Sequence, residues 1–334
     1  MDVDLSTRVG SVGLPSPVMT ASGTSGHGVE LSPYGRLSEL GAVVVKSLTA
    51  GAWPGNPAPR LAHVGGGMIN SVGLQGPGMS RWLEEDLPAL ITARARVVVS
   101  IWGRTVDEFA ETARLLRDGL ADAGRGGPGD GASATSASPG VVAVEVNVSC
   151  PNVEDRSRMF AHSPSSTAAA VSAAACGLPR WAKLSPNVTD IREIAASAME
   201  AGADGLTLVN TLLGLSLDLE RRRPALGAGG GGVSGPPLRP IALRAVWECR
   251  RALPSAPIVG VGGIERGVDA AEMLMAGADA VQVGTATFRD PRSPWRVGRQ
   301  LARWCASHGV RSVSELRGAA LAESEGGPWA SRRI

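Results

Sequence analysis

Short apolar runs rich in valine recur along the chain and alternate with longer stretches of helical period. The runs cover residues 17–21, 42–46, 97–101, 141–147, 181–184, 205–209, 257–261 and 279–283. Near-continuous apolar strands separated by helices mark a parallel sheet buried on both faces. Amphipathic helices are predicted over 80–95, 106–120, 165–176, 189–201, 238–253, 268–276 and 295–307. Thr189 and Asp190 make a helix start and Gly202 a stop. The turns G-A-D-G at Gly202 and G-A-D-A at Gly277 repeat one helix-to-strand connection, in which glycine accepts the left-handed conformation that closes a helix. Eight strands in this rhythm predict an α/β fold, a (β/α)8 TIM barrel forming a single domain over residues 1–334. A doubly wound open sheet is the alternative.

Some stretches break the rhythm. Residues 124–140 are poor in hydrophobics and rich in Gly, Ser and Pro, which predicts a flexible surface insertion with no function of its own. Residues 227–232 are similar but lead into Ser234, Gly235 and Pro236, where the chain is expected to approach a ligand. Residues 65–78, G-G-G-M-I-N-S-V-G-L-Q-G-P-G, read as a long loop of the kind that forms lids. Residues 326–334 read as a loose tail.

At 334 residues and 43% hydrophobic the chain can bury a large core. A net charge of +2 with mixed signs argues against nucleic acid as a partner, and Arg221, Arg222 and Arg223 read as a solvated turn. No apolar window reaches the length of a membrane span and no signal peptide is evident at Met1, so a cytoplasmic location is expected. Cys150, Cys176, Cys249 and Cys305 lie far apart, and neither they nor His27, His63, His162 and His308 show ligand spacing; no metal or iron–sulfur site is expected in this chain.

Chemistry in a barrel gathers where the strands end at their carboxyl side. The second run ends in Lys46 and Ser47, the fourth in Asn147, the fifth carries Lys183, and the sixth ends in Asn210 and Thr211. In V-E-V-N-V-S-C-P-N, alternation puts Glu145 and Asn147 on one face, with Cys150 just beyond on a turn fixed by Pro151. An ammonium inside an apolar strand needs an anion or a hydrogen-bonding network to meet it. For each lysine an internal ion pair, with Glu145 for instance, competes with an anionic ligand; the two lysines together beside Asn147 and Asn210 favour the ligand. The seventh run ends in Gly260, Gly262 and Gly263, the eighth in Gly284 and Thr285. Backbone N–H groups after strands seven and eight are the usual phosphate seat of a barrel, which predicts a phosphorylated ligand. The segment A-S-G-T-S-G from Ala21 would let a flat ring approach the backbone, and Asn70 offers both a donor and an acceptor to a polar substrate.

These segments in order, with N-P-A-P-R, M-I-N-S-V-G-L-Q-G-P-G, V-N-V-S-C-P-N, K-L-S-P-N-V-T-D-I, G-L-T-L-V-N-T, S-G-P and V-G-T-A, make a chain that resembles the class 1 dihydroorotate dehydrogenases from Pro17 to about Phe288. The resemblance implies an oxidoreductase, a flavoprotein that binds FMN and oxidises dihydroorotate to orotate in pyrimidine biosynthesis. It implies flavin contacts from Ala21, Ser22, Lys46, Ser47, Asn147, Lys183, Val209, Gly235, Gly262, Gly263, Gly284 and Thr285. It implies a substrate site formed by Lys46, Asn70, Gly73, Leu74, Asn147, Asn152, Asn210 and Thr211. Cys150 would be the base that removes the C5 proton while C6 gives hydride to flavin N5, and Lys183 would stabilise the reduced flavin. A thiol suits that task because its ordinary pKa, roughly 8.5, lies near neutrality.

Three features depart from the family pattern. Ser100 stands where an asparagine touching flavin and substrate is usual, so one hydrogen bond is expected to change. The segment after Cys150, V-E-D-R-S-R-M-F-A-H-S, lacks the usual lid glycines, and the insertion is unusual. The motifs look most like the 1B subtype, which implies a core homodimer and a second subunit carrying FAD and a [2Fe-2S] cluster that passes electrons to NAD. Competing readings are a flavin enzyme similar to the dihydrouracil- and dihydrothymine-oxidising dihydropyrimidine dehydrogenases, a non-redox barrel acting on a phosphate ester, and an FMN-binding relative that has lost catalysis.

Overall fold

The computed structural model describes residues 2–122, 139–149, 151–152 and 158–322. Eight parallel strands form one sheet: β1 (Val18–Thr20), β2 (Val43–Val44), β3 (Arg96–Ile101), β4 (Gly140–Asn147), β5 (Arg180–Leu184), β6 (Gly205–Leu208), β7 (Ile258–Val261) and β8 (Ala280–Val283). Their order around the sheet is β1-β8-β7-β6-β5-β4-β3-β2. The ring closes between β1 and β2, where the amide of Gly41 donates to Val18 O at 2.8 Å and that of Thr20 to Ala42 O at 3.2 Å. Thr20 Oγ1 reinforces the seam by accepting from the Val44 amide at 2.9 Å. This is the (β/α)8 barrel that the spacing of apolar runs predicts.

The strands are buried on both faces for separate reasons. Val144 and Val146 pack outward against the helices, in one core with Phe109, Phe160 and Val171. Ala143 points inward with Val98, Trp181, Val259 and Ala280. An antiparallel hairpin of Thr7–Val9 and Val12–Leu14, not anticipated from the sequence, sets Val9, Val12 and Leu14 against this inner cluster and plugs the amino end of the barrel.

The outer helices are α1 (Met79–Glu85), α2 (Leu87–Thr92), α3 (Val106–Asp122), α4 (Pro164–Ala173), α5 (Ile191–Glu200), α6 (Arg239–Ala252), α7 (Gly267–Met275), α8 (Ala286–Arg289) and α9 (Ser293–Ser307). Asp190 caps α5 by accepting from the Arg192 amide, and Gly202 and Gly277 take positive φ at the expected turns. The single helix expected over 80–95 is two helices meeting at Asp86, because Pro88 lacks the N–H that continuation requires. Among the described residues no helix is long and apolar enough to cross a membrane.

Two expected loops are partly strands. Gly67–Asn70 and Gly231–Ser234 form the centre of a four-stranded antiparallel sheet flanked by Leu61–Val64 and Leu212–Gly214. Glycine here reflects close approach: a Cβ on Gly231 would lie 2.4 Å from Asn70 O, and one on Gly232 2.0 Å from Thr211 Oγ1. Gly140, expected at the end of the insertion, is the first residue of β4. The remaining insertion from residue 124 to 138 and the tail at 326–334 lie outside the described residues. Because the Gly231 contact is with backbone, Gly231→Ala should destabilise the fold by about 1–3 kcal/mol, read as a lowered midpoint in urea unfolding of the purified chain.

Candidate active site

A cavity of about 590 Å³ opens at the carboxyl ends of the barrel strands and is roofed by the four-stranded sheet. The loop after β1 turns sharply at Gly23 (φ 87°), held by the Thr24 amide and hydroxyl, which both donate to Ala21 O. That turn brings Ala21, Ser22 and Gly23 to the wall beside Lys46. Lys46 itself is anchored through its backbone, its amide donating to Gly26 O at 3.0 Å.

Polar side chains from the ends of five strands then meet. Ser47 Oγ lies 3.3 Å from Ser22 Oγ and 2.8 Å from Ser100 Oγ, and accepts from Asn147 Nδ2 at 3.3 Å. Asn147 Oδ1 accepts from Asn210 Nδ2 at 3.2 Å and from the Ser149 amide at 3.1 Å. Ser100 is fully buried and does not line the cavity, so its effect reaches a ligand through Ser47.

The two lysines differ. Lys183 lines the cavity floor but is internally paired: its Nζ lies 3.1 Å from Glu145 Oε1 and 3.5 Å from Gln282 Oε1, while Gln282 Nε2 donates to Glu145 Oε2 at 2.7 Å. The internal ion pair and the ligand wall, set against each other in the sequence, are thus the same residue. Lys46 also lines the cavity, but no hydrogen bond or ion pair joins its ammonium to another described side chain, and burial pushes its pKa below the ordinary lysine value. A half-buried, uncompensated cation is costly and is relieved by an anion. These are the only lysines in the chain, a signal visible in the sequence: every other strong cation is arginine. A compact ammonium is not interchangeable with a guanidinium fork, and here it occurs only at the cavity.

Opposite the lysines the wall is backbone. Gly262 (φ 135°) and Gly263 (φ 69°) pack so tightly under α6 that a Cβ would lie 2.7 Å from Ala242 Cβ and 2.6 Å from Arg239 Cβ respectively. Gly284 and Thr285 precede α8, and Thr285 Oγ1 donates to Ser234 Oγ at 2.8 Å, tying β8 to the roof. Asn70, in the roof, lines the cavity and donates to Gly232 O at 3.2 Å.

All twelve residues expected at the cofactor line this one cavity, as do Lys46, Asn70, Gly73, Leu74, Asn147, Asn210 and Thr211 of those expected at the substrate. Cys150 lies outside the described residues; Asn152 pairs with Arg158 in a short antiparallel ladder. Several lining residues were not singled out from sequence. Ser71 and Ser149 line the cavity with buried hydroxyls that have no partner among the described residues. Ser185 and Asn187, in the K-L-S-P-N segment, line it too. Gln282 lies below the cavity against Lys183; as a polar residue inside an apolar strand it carried the same signal as Lys183. Among the described residues no group of three or more His, Cys, Asp or Glu is placed to hold a metal ion.

The family model for dihydroorotate dehydrogenase matches residues 4–123 and 131–304. The chain belongs to the dihydroorotate dehydrogenase family. Among its relatives is the "Dihydroorotate dehydrogenase B (NAD(+)), catalytic subunit" of Desulforudis audaxviator, 45% identical over 322 residues, covering 96% of this chain and 98% of that protein. The protein of the same name from Geobacter sp. strain M21 is 42% identical over 318 residues, covering 95% and 98%. These B-type names agree with the 1B likeness of the motifs. The family match skips residues 124–130, inside the Gly/Ser-rich insertion.

The contrast between the lysines gives opposite outcomes. Lys183→Met leaves Glu145 buried and unpaired and should cost about 3–5 kcal/mol, whereas Lys46→Met should leave the ligand-free chain as stable or more stable. The folded chain releases the Lys46 proton more readily than the unfolded chain, so raising pH toward the ordinary lysine value should stabilise the ligand-free fold. Lys46→Met should lose that share of the pH dependence, measured by urea unfolding across the alkaline range.

Proposed function

We propose that this chain is the catalytic subunit of a B-type, FMN-dependent dihydroorotate dehydrogenase, a single catalytic domain that oxidises dihydroorotate to orotate in pyrimidine biosynthesis in the cytoplasm. The observation that carries the reading is the convergence in one cavity of the glycine-edged ends of β7 and β8, the unpartnered ammonium of Lys46, and the carboxamides of Asn70, Asn147 and Asn210.

The residues present fit FMN. The cavity volume falls in the range of small-molecule sites. Gly262, Gly263 and Gly284 leave backbone rather than side chains at the phosphate end, Thr285 holds its hydroxyl on Ser234, and Gly235 (φ 92°) continues that wall. Ala21, Ser22, Lys46, Ser47, Asn147, Lys183 and Val209 would hold the ring. When bound, FMN supplies the acceptor for the hydrogen that leaves C6 of dihydroorotate with its electron pair.

The chain's own residues do the rest. Lys46 is the cation for an anionic substrate, since it alone among the cavity's ammonium groups is uncompensated. Asn70, Gly73, Leu74, Asn147, Asn152, Asn210 and Thr211 would orient the pyrimidine ring through its amide edges. Cys150 takes the proton from C5 as thiolate, a positioned base that works near neutral pH. Lys183, clamped by Glu145 and Gln282, keeps a cation at the floor where electron density on a ring above it is favoured.

A separate subunit carrying FAD and a [2Fe-2S] cluster would pass the electrons on to NAD; the relatives' printed name, "(NAD(+)), catalytic subunit", supports the separate subunit and NAD. A core homodimer is supported by Leu213, Leu215, Leu217 and Leu219, exposed at 60, 61, 56 and 79% on alternate positions leading from the roof's edge strand. Such an unpartnered apolar row fits an interface between copies.

Anaerobic mixing of the flavin-loaded chain with dihydroorotate should bleach the visible flavin band without a partner subunit. Cys150→Ala should keep its flavin but bleach about 10²–10⁴-fold more slowly. Bleaching by dihydrouracil or dihydrothymine but not by dihydroorotate would transfer the activity to the other dihydropyrimidines.

A further inference from the structure

The K-L-S-P-N segment at the end of β5 contains a carboxamide that no part of the reaction yet uses. Asn187 lines the cavity, but every hydrogen-bonding group on its side chain points into the protein. Its Nδ2 donates to Ser185 Oγ at 2.8 Å and to Thr211 O at 3.0 Å, and its Oδ1 accepts from the Leu213 amide at 2.8 Å. Its own amide also donates to Ser185 Oγ at 3.2 Å, which fixes the turn from which the side chain projects. One side chain therefore bridges the end of β5 to two successive points on the segment that follows β6.

That segment carries Asn210 and Thr211. The Asn210 amide donates to Leu184 O at 2.8 Å, which secures it to β5. Beyond that point the chain turns away from the barrel to enter the roof at Leu212–Gly214. The Thr211 amide donates to the side chain of its neighbour, Asn210 Oδ1, at 2.8 Å. Asn187 grips the segment on both sides of that turn, at Thr211 O and Leu213 N, and the Asn210 carboxamide held there points Nδ2 at Asn147.

The geometry points to Asn187 as a positioning residue that presents Asn210 and Thr211 to the pyrimidine ring without touching the ring itself. This rests on the proposed placement of substrate at Asn210 and Thr211. The flavin-facing groups Ser47 and Lys183 are held by other partners, so the two ligands separate the role. Loss of the clamp frees a flexible substrate-binding turn but leaves the cofactor wall intact.

The test uses the flavin-loaded chain, with orotate binding read from the perturbation of the flavin spectrum. Asn187→Ala should retain flavin content and thermal midpoint, raise the orotate Kd about tenfold, and raise KM for dihydroorotate more than it lowers kcat. Asn187→Asp keeps the acceptor for Leu213 and loses the donor to Thr211; it should bind orotate less weakly than Asn187→Ala, and it preserves the test if the alanine variant folds poorly. Asn210→Ala is the reference for a residue that touches the ring. The double variant Asn187→Ala/Asn210→Ala should weaken binding by less than the product of the single effects, because both act through one contact. Unchanged orotate binding in Asn187→Ala with weakened binding in Asn210→Ala would overturn the clamp alone. Unchanged binding in both would overturn the placement of substrate there and the clamp with it, and flavin loss in Asn187→Ala would show a general structural role instead.

Discussion

A charge inside the barrel constrains everything above it. Glu145 and Lys183 come from the neighbouring strands β4 and β5, whereas Gln282 comes from β8 and reaches both across the interior. Each partner is hydrogen-bonded, as a buried ion pair requires if it is not to destabilise the fold. A slip of one residue in any of the three strands would turn its polar side chain out among the helices, so the triad fixes the phase of all three. Side chains then repeat every second residue. Two positions beyond Glu145 is Asn147, beyond Lys183 is Ser185, and beyond Gln282 is Gly284, and all three line the cavity. The register that satisfies the buried charge is the register that builds the mouth.

The mouth depends on the opposite principle. The triad holds Lys183 in a closed set of partners, whereas Lys46 is placed by its backbone and its ammonium remains uncompensated. One cation is committed to the fold and the other to whatever enters the cavity. The glycine wall at β7 and β8 follows the same division. Gly262 and Gly263 lack side chains because α6 packs against them, while the nearest atom to a Cβ on Gly284 would be at an ordinary 3.4 Å from Ala21 Cβ. Packing therefore accounts for the first two glycines, and openness of the cavity for the third.

The barrel was legible in the sequence because each parallel strand is buried on both faces and appears as an apolar run interrupted only where a side chain serves the interior. Lys46, Asn147, Lys183 and Asn210 were found by that interruption. The roof was not legible. Its strands are short, one of them, Gly231–Ser234, is half glycine, and Gly67–Asn70 pairs with Gly231–Ser234 across nearly half the chain; local periodicity carries no trace of such a partner. The N-terminal hairpin escaped for the same reason of length. Asn187 escaped because its hydrogen bonds reach Thr211 and Leu213, and only the folded chain shows that β5 and β6 end side by side.

Ser100 shows how a difference one layer below the cavity acts at its surface. Ser47 has one proton and three polar neighbours: Ser22, Ser100 and Asn147. Asn147 Nδ2 can only donate, so Ser47 accepts there, and it must donate to one of the two other hydroxyls and accept from the remaining one. The chain Ser100–Ser47–Ser22 thus runs in one direction or the other as a unit. A ligand atom that accepts from Ser22 sets that direction outward, with Ser100 donating to Ser47 and Ser47 to Ser22. An asparagine at position 100 would bring a fixed amide donor and a fixed acceptor in place of a rotating hydroxyl. The serine leaves the polarity of this wall to be decided by the ligand, while the Asn147–Asn210 pair beside it has its polarity fixed by the protein.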